Sequence, residues 1–316
     1  MKRILITGAF GYVGGRLGRH LAEQGYQLRL GSRDATRQPP QWLGSGDIKA
    51  TDFDSDACLE AACQGIDCII HLANTNEAVS RTDPELALSV NGGGTIKLLR
   101  AASIAGVKRV IYLSTAHIYG APLQGVISEE TLPRPRHPYA ITHRVAEDFV
   151  LAADGGDQPK CFVLRLSNSF GAPELGVDWT LLVNDLCRQA VTQKKLVLRS
   201  AGLQRRDFLT LTDVGRAVRH VIELPQERCG DGLFNLGGEN PMRILDVAER
   251  VAGRCEALLG FRPEVQRPDP ASGEKSPSLD YRIDKLKATG FTLHSNIDEE
   301  IDATLKYCHR SFGAGC

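Results

Sequence analysis

The sequence has no excess of charge of either sign and no apolar run long enough to cross a membrane. Its 38 Lys and Arg residues balance 38 Asp and Glu residues, whereas proteins that bind nucleic acid or anionic membranes usually carry a basic excess. No apolar stretch approaches the ~20 residues that a membrane-spanning helix needs. Glycines interrupt the first residues, MKRILITGAFG, where a secretory signal would be continuously apolar. We therefore expect no nucleic-acid partner, no membrane insertion and no export, and we expect a cytoplasmic protein.

The nine cysteines form no Cys-x-x-Cys pair, so the spacing typical of zinc sites and redox motifs is missing. Scattered cysteines in odd number are typical of reduced thiols in a cytosolic protein. We predict that most of them are small buried hydrophobic residues and that Cys316, at the end of the chain, is exposed. We expect no bound metal.

The first 170 residues alternate β-branched runs with longer amphipathic stretches, which is the pattern of βαβ units and a parallel sheet. Nearly continuous apolar runs predict strands that are covered on both faces, at residues 3–7, 27–31, 68–72, 109–114 and 161–166. The amphipathic stretches between them predict helices at 14–24, 84–105 and 139–153. We therefore predict an α/β fold with a Rossmann-type, doubly wound parallel sheet.

After residue 170 the pattern becomes less regular. It predicts helices near 178–194, 213–223, 243–260 and 297–310, and a Pro-rich loop at 263–278. We expect residues 1–170 to form a dinucleotide-binding domain. Residues 171–316 should form mainly a smaller substrate-binding lobe, with some elements returning to the main sheet.

A glycine-rich turn, TGAFGYVG (7–14), joins the first strand to an amphipathic helix. Its glycines permit a tight turn, close approach of the backbone to a pyrophosphate and close helix–strand packing. Free N–H groups and the dipole at the helix N-terminus favour an anion there. This context predicts a dinucleotide site that includes Gly8, Phe10, Gly11, Tyr12, Val13 and Gly14.

The residue that ends the second strand distinguishes NAD from NADP, because an acidic side chain there binds the ribose 2′-hydroxyl and disfavours a 2′-phosphate. This chain has Ser32 followed by Arg33. A hydroxyl and a guanidinium suit a phosphate. We predict NADP as the cofactor, with NAD as the alternative.

Segments in a fixed order resemble the extended short-chain dehydrogenase/reductase superfamily, which includes nucleotide-sugar epimerases, dehydratases and reductases. They cover nearly the whole chain: TGAFGYVG (7–14), TDF (51–53), HLAN (71–74), VNGGGT (90–95), LSTAHIYG (113–120), PYAITH (138–143), RLSNSFG (165–171), RRDFLTLTDV (205–214) and FNLGG (234–238). The resemblance implies Asp52 and Phe53 beside the adenine, and Leu72, Ala73 and Asn74 at the cofactor. It also implies a homodimer through helices 84–105 and 139–153.

Catalysis in this family uses a Tyr that heads a YxxxK motif, and a Ser or Thr at the end of the fourth strand. Thr115 and Tyr139 match these positions, but His143 replaces the lysine. His143 could hold the nicotinamide ribose and relay a proton; alternatively, the fold binds cofactor but turns over poorly, or both side chains are ordinary helix-face residues. A histidine with its usual pKa titrates near working pH. Because it is then mostly neutral, we expect Tyr139 to have a higher pKa than a lysine would give it.

The substrate side also departs from the family's dehydratases, which have Asp-Glu after the Thr where this chain has Ala116-His117. This disfavours a 4,6-dehydratase. His117 is either a local structural residue or an acid/base that faces substrate. The resemblance implies that Arg206 binds a nucleotide diphosphate and that Asn168 contacts substrate, and we expect loops 173–181 and 263–278 to shape the pocket.

We therefore predict an NAD(P)-dependent reductase or epimerase that acts on a hydroxyl or keto carbon of a nucleotide-linked sugar. The alternatives are a reductase of a non-nucleotide ketone and a dinucleotide-binding scaffold with impaired catalysis.

Overall fold

The computed structural model describes residues 2–155, 159–294 and 296–313. The strands, numbered in chain order, are β1 Arg3–Thr7, β2 Gln27–Ser32, β3 Asp47–Ala50, β4 Cys68–His71, β5 Arg109–Thr115, β6 Gly125–Ile127, β7 Lys160–Leu166, β8 Asn168–Phe170, β9 Lys195–Val197, β10 Arg205–Thr210, β11 Leu233–Leu236, β12 Pro241–Arg243, β13 Glu264–Gln266 and β14 Leu279–Tyr281. The α-helices are α1 Tyr12–Glu23, α2 Asp56–Cys63, α3 Glu77–Thr82, α4 Pro84–Ala87, α5 Gly94–Ile104, α6 Pro138–Ala152, α7 Leu182–Gln193, α8 Leu211–Glu223, α9 Ile244–Leu259, α10 Asp284–Ala288 and α11 Ile297–Phe312.

Seven parallel strands form the main sheet, in the order β11-β7-β5-β4-β1-β2-β3. The predicted doubly wound parallel sheet is therefore confirmed. The chain moves from β1 towards β3 in one direction and from β4 towards β11 in the other, so the order reverses between β1 and β4. Ligands of such sheets bind at this reversal, beyond the carboxyl ends of the strands.

The five strands predicted from apolar runs are all present, with bounds that differ by one residue at most. Their side chains are buried on both faces of the sheet, as the near-continuous hydrophobicity requires. The sequence did not predict β3, because this short strand lies at the sheet edge and is only partly buried. Its residues, DIKA, therefore lack an apolar run.

The predicted helix 84–105 is divided in the structure into α4, a π-helical segment at Leu88–Gly93, and α5. Three consecutive glycines lie at the division. A Cβ at Gly94 would come within 3.0 Å of the Phe53 ring, and a Cβ at Gly92 within 3.1 Å of Val145 on α6. Close packing on both sides of the helix therefore explains why glycines, which are poor helix formers, occupy these positions.

A second hydrophobic core lies beyond residue 170, between α7, α9 and α11. Some later elements pack in the first core: α8 packs beside α1, and β11 completes the main sheet. Helix α7 begins at Leu182 rather than 178, because the Asp178 carboxylate accepts hydrogen bonds from the backbone and hydroxyl of Thr180 and forms a turn.

The eight cysteines in the described ranges are unpaired thiols; seven are buried and Cys58 is partly buried. The prediction that most cysteines are small buried residues is thus confirmed, while Cys316 lies outside the described residues. Among the residues with coordinates, no helix is long and apolar enough to cross a bilayer.

Candidate active site

A cavity of about 790 Å³ opens beyond the carboxyl ends of β1, β4 and β5, at the point where the strand order reverses. Its wall includes all the glycine-loop residues and all the catalytic and substrate-side residues predicted from the sequence. These are Gly8, Phe10, Gly11, Tyr12, Val13, Gly14, Leu72, Ala73, Asn74, Thr115, His117, Tyr139, His143, Asn168 and Arg206. Residues that are far apart in sequence thus converge on one cavity.

The glycine loop has the geometry of a cradle for a pyrophosphate. Gly8 has a positive φ of 67°, and a Cβ there would lie 2.9 Å from the backbone nitrogen of Ala73. A Cβ at Gly14 would lie only 2.3 Å from the carbonyl oxygen of Gly8. Side chains at these two positions would separate α1 from β1 and fill the loop, so the residues present fit a dinucleotide at the helix N-terminus.

Beneath this loop, a buried network joins the ends of β1 and β4. The Thr7 hydroxyl oxygen lies 2.7 Å from Nδ1 of His71 and accepts hydrogen bonds from the backbone N–H groups of Leu72 and Ala73. Nε2 of His71 lies 3.0 Å from the Thr95 hydroxyl oxygen. Burial lowers the pKa of His71 to about 4, so this ring is a neutral structural link that fixes the floor of the cavity.

Thr115 and Tyr139 meet in the cavity wall. Thr115 ends β5, and Tyr139 lies in the first turn of α6, which begins after His137 with Pro138 at its first position. The two side chains are neighbours in this wall. Burial, with smaller contributions from the carboxylates of Glu77 and Asp178, raises the pKa of Tyr139 to about 12, and the neighbouring Thr115 hydroxyl opposes this shift. The pKa of Tyr139 is thus raised, with burial as the main cause, whereas the effect expected from the absent lysine stays a prediction.

His143 lies one helical turn after Tyr139, and the centroids of the two rings are 4.4 Å apart. Its side chain is only 1% exposed. Burial, with smaller contributions from the neighbouring His71, His117 and His137, lowers the pKa of His143 to about 3. The expectation that this histidine titrates near neutral pH is therefore wrong, because desolvation strongly disfavours the imidazolium.

On the substrate side, His117 follows Thr115 in a 3-10 turn and packs edge-on against the ring of His137. Burial lowers its pKa. Arg206, on β10, is partly buried, and this burial lowers the pKa of its guanidinium. In the described part of the chain this guanidinium has no hydrogen-bonded acceptor or ion-pair partner, so an anion that enters the cavity meets an unpaired cation. The Asn168 amide donates to the carbonyl oxygen of Asp207, which fixes its orientation in the wall.

Four predicted cofactor residues lie outside this cavity: Ser32, Arg33, Asp52 and Phe53. Ser32 ends β2, and the exposed Arg33 follows it. Asp52 and Phe53 follow β3, where the Phe53 ring faces His71 from a centroid distance of 5.9 Å. These residues lie beyond the carboxyl ends of β2 and β3, and the glycine loop lies beyond the carboxyl end of β1 in the same sheet.

Arg37 was missed by the sequence analysis. Its guanidinium carbon lies 4.9 Å from the centroid of the Phe10 ring, directly at the glycine loop. The β2–β3 connection therefore brings a second guanidinium to this end of the site. Only the fold of this loop places Arg37 there, because nothing in the local sequence distinguishes it from a solvated arginine.

The two loops that were expected to shape the pocket differ in outcome. Residues 176–181 line the cavity, and a Cβ at Gly176 would come within 2.6 Å of the carbonyl oxygen of Phe10. The stretch 263–278 contributes nothing to the wall, and that expectation is wrong. Instead, β13 pairs with β9, and Arg267 and Ser276 bond the backbone of residues 201–203. The wall also contains Asn76, Glu77 and Ala78, which were not predicted.

Comparisons with known proteins agree with this geometry. The family model described as "NAD dependent epimerase/dehydratase family" matches residues 4–237. The UDP-glucose 4-epimerase of Streptococcus mutans is 29% identical, over 95% of this chain and 98% of the relative. A solved structure, "MoeE5 in complex with UDP-glucose and NAD", is 27% identical with a TM-score of 0.79 and covers 98% of this chain and 99% of that one.

The UDP-glucose 4-epimerase of Thermus thermophilus, solved as a complex with NAD, is 25% identical with a TM-score of 0.79, over 97% of this chain and 99% of that chain. The family match covers well over half of the sequence, and its segments supply the glycine loop and the Thr115–Tyr139 pair. The chain therefore belongs to the NAD-dependent epimerase/dehydratase family.

Proposed function

We propose that this chain transfers a hydride at a hydroxyl or keto carbon of a nucleotide-linked sugar, as a reductase or an epimerase. The observation that carries this proposal is that Thr115 and Tyr139 are neighbours in the wall of the cavity that the glycine loop also lines. The unpaired guanidinium of Arg206 in the same wall supports an anionic substrate. Relatives named for UDP-glucose support a nucleotide sugar as that anion.

In this proposal, the bound dinucleotide supplies or accepts the hydride, and side chains of the protein donate or accept the proton. Tyr139 donates a proton to the substrate oxygen during reduction, while Thr115 holds that oxygen by a hydrogen bond. With a pKa of about 12, Tyr139 keeps its proton at neutral pH, so the phenol that reduction needs as a donor is present and the phenolate that alcohol oxidation needs as a base is scarce. The site therefore favours reduction of a ketone, and the C-terminal residues from 171 onwards contribute the substrate lobe.

We further propose that the cofactor is NADP, with NAD as the alternative named in the related structures. Ser32 offers a hydroxyl, and Arg33 has no ionic partner among the residues that the structure describes. The adjacent Asp34 carboxylate is engaged in its own turn, where it accepts from the backbone and hydroxyl of Thr36. Arg37 brings additional positive charge to the same end of the site.

The first test concerns this preference. We expect NADPH to bind more tightly than NADH, and Arg33→Ala to remove most of the difference, because loss of a charge-assisted contact weakens binding about tenfold to a hundredfold. Nicotinamide fluorescence titration measures both constants. The affinity for NADH is the internal control and should not change. Equal affinities in the unmodified protein would contradict NADP selection.

The test of the substrate class uses UDP as the probe. UDP at about one hundred times its Kd should stabilise the folded protein by about 2.7 kcal/mol through mass action, and Arg206→Gln should abolish most of this thermal shift. Arg205→Gln is the matched control, since Arg205 donates to the carbonyl oxygen of Pro241 instead of facing the cavity. A UDP shift that is the same in both variants would remove Arg206 from the proposal, and no shift in the parent would favour a non-nucleotide ketone.

A third test concerns position 143. His143→Lys should shift the pH profile of alcohol oxidation to lower pH, because a fixed positive charge near Tyr139 favours the phenolate and lowers its pKa. The measurement is kcat/KM against pH in the oxidation direction. His143→Gln, which adds no charge, is the control and should leave the profile in place. If the lysine variant does not move the profile, position 143 is not coupled to the proton-transfer group.

We also propose a homodimer. Exposed apolar side chains lie along the helices that the family resemblance assigns to the interface: Leu86, Leu88, Ile96, Ile104, Ile141 and Phe149. Such a surface is typical of an interaction site.

We also propose a cytoplasmic location, which is supported by the unpaired cysteines in the described ranges.

A further inference from the structure

Tyr112 and His143 form a buried pair behind the cavity. Tyr112 lies on β5 and is 1% exposed, and its hydroxyl oxygen lies 2.6 Å from Nδ1 of His143. His143 belongs to the cavity wall, and its second nitrogen, Nε2, is buried without a hydrogen-bond partner among the described residues. One nitrogen of the ring is therefore held by the protein, and the other, in a residue of the cavity wall, lacks a partner among the described residues.

The proton between Tyr112 and His143 has two possible positions, and the two arrangements differ in free energy. If Nδ1 carries the proton and donates, the Tyr112 hydroxyl hydrogen lacks an acceptor in the part of the chain with coordinates. If Tyr112 donates instead, both groups of the pair are satisfied and the ring proton lies on Nε2. A buried hydroxyl without an acceptor is unfavourable, so the second arrangement is preferred.

The ionisation states agree with this arrangement. Burial raises the pKa of Tyr112 well above its usual value, so the hydroxyl keeps its hydrogen. Burial also lowers the pKa of His143, so the ring is neutral and has one protonated nitrogen. In a neutral imidazole, the hydrogen bond at one nitrogen determines whether the other is a donor or an acceptor.

We propose that Tyr112 is a positioning residue that fixes His143 as the Nε2–H tautomer, so that the imidazole presents a neutral N–H donor to a hydroxyl of the bound dinucleotide. This inference rests on the proposed function. A neutral N–H donor can hold the cofactor, as one of the alternatives for His143 requires, without placing a charge beside Tyr139. Because the proton on Nε2 is fixed by Tyr112, His143 holds the cofactor and does not relay protons.

The first experiment measures the tautomer in the protein without cofactor. Nitrogen chemical shifts of ¹⁵N-histidine-labelled protein distinguish a protonated from an unprotonated ring nitrogen, and His143→Phe identifies the signals of His143. We expect Nε2 to be protonated and Nδ1 unprotonated, and Tyr112→Phe to abolish this single-tautomer pattern. Tyr281→Phe is the matched control, since it removes a buried hydroxyl that donates to the Arg165 carbonyl oxygen and leaves His143 untouched.

The second experiment measures NADH and NADPH affinity by fluorescence. Tyr112→Phe should weaken binding about threefold to tenfold, as expected for loss of one neutral hydrogen bond, while Tyr281→Phe should not. In the His143→Phe background, Tyr112→Phe should cause no further loss of affinity, because the two residues act as a unit.

A protonated Nδ1 in the parent, or an unchanged tautomer and affinity in Tyr112→Phe, would overturn the inference. Failure of the proposed function has a different signature. If neither dinucleotide binds the parent protein, the cofactor assignment is wrong, whereas the tautomer measurement still tests the Tyr112–His143 pair.

Discussion

Tyr139→Phe is expected to lower kcat by about 10²–10⁴-fold while the fold and the dinucleotide affinity stay unchanged. The substitution removes one oxygen atom, the one beside Thr115 to which we assign proton transfer. General acid–base catalysis by a positioned side chain contributes an effect of this size. The measurement is the rate of nicotinamide oxidation or reduction with a nucleotide-linked keto sugar or sugar as substrate, together with dinucleotide titration.

Tyr26→Phe is the matched control for this experiment. Its hydroxyl donates to the carboxylate of Glu223, away from the cavity, so removal should leave kcat unchanged. Turnover of Tyr139→Phe at the parent rate would mean that another group supplies the proton, and His117 is the next residue to replace. A scaffold without turnover would show no activity in the parent or in either variant.

The same assay separates a reductase from an epimerase. A reductase consumes one reduced dinucleotide for each sugar that it converts, whereas an epimerase interconverts two sugars without net consumption. The high pKa of Tyr139 and the exposed Arg33 support the reductase, and the relatives named UDP-glucose 4-epimerase support the epimerase. Product analysis with both cofactor redox states decides between them.

The parts of the fold that were predicted from sequence are those in which local pattern and tertiary environment agree. Strands such as β1 and β7 are covered on both faces, and a strand in that environment must be apolar throughout. The glycine loop was predictable because only glycine fits the left-handed turn at Gly8 and the close contact at Gly14. Edge strand β3 has neither feature, so its sequence carried no signal.

The candidate site was predictable in its members but not in its electrostatics. The sequence motifs identified Thr115, Tyr139 and His143 as candidates, and the structure brings all three to one cavity. The pKa of His143 depends on burial by residues from other elements, which a motif does not contain. The sequence predicts Tyr112 only as a residue of a buried strand, because a tyrosine in an apolar run is ordinarily part of the core. The fold brings its hydroxyl oxygen within 2.6 Å of the His143 imidazole.

The helix that carries Tyr139 and His143 is anchored by a buried ion pair. Glu147 lies one further turn along α6 and is 0% exposed, and it accepts hydrogen bonds from the guanidinium of Arg165 on β7, which is 1% exposed. The same guanidinium donates to the Tyr119 hydroxyl. With spacing of four residues, Tyr139, His143 and Glu147 share one face of α6. The pair therefore sets how this face meets the sheet.

Glu147→Leu is accordingly expected to lower the free energy of unfolding by about 3–5 kcal/mol, because it leaves the Arg165 charge buried without its carboxylate. The double variant Glu147→Leu/Arg165→Met should recover much of this loss, since no uncompensated charge remains. Urea unfolding at one fixed protein concentration measures the parent, the single variant, the double variant and the control variant. Arg144→Ala is the control: Arg144 pairs with Glu147 from a partly exposed position and should contribute at most about 1 kcal/mol.

If Glu147→Leu costs no more than the control, Arg165 finds another acceptor and the pair does not anchor α6. If the double variant unfolds as readily as the single one, the loss comes from altered packing rather than from the buried charge. With the expected result, the double variant is a stable protein whose α6 is held by packing alone. Its kcat then measures how much of the alignment of Tyr139 with Thr115 depends on the ion pair, because both hydroxyl groups are intact in it.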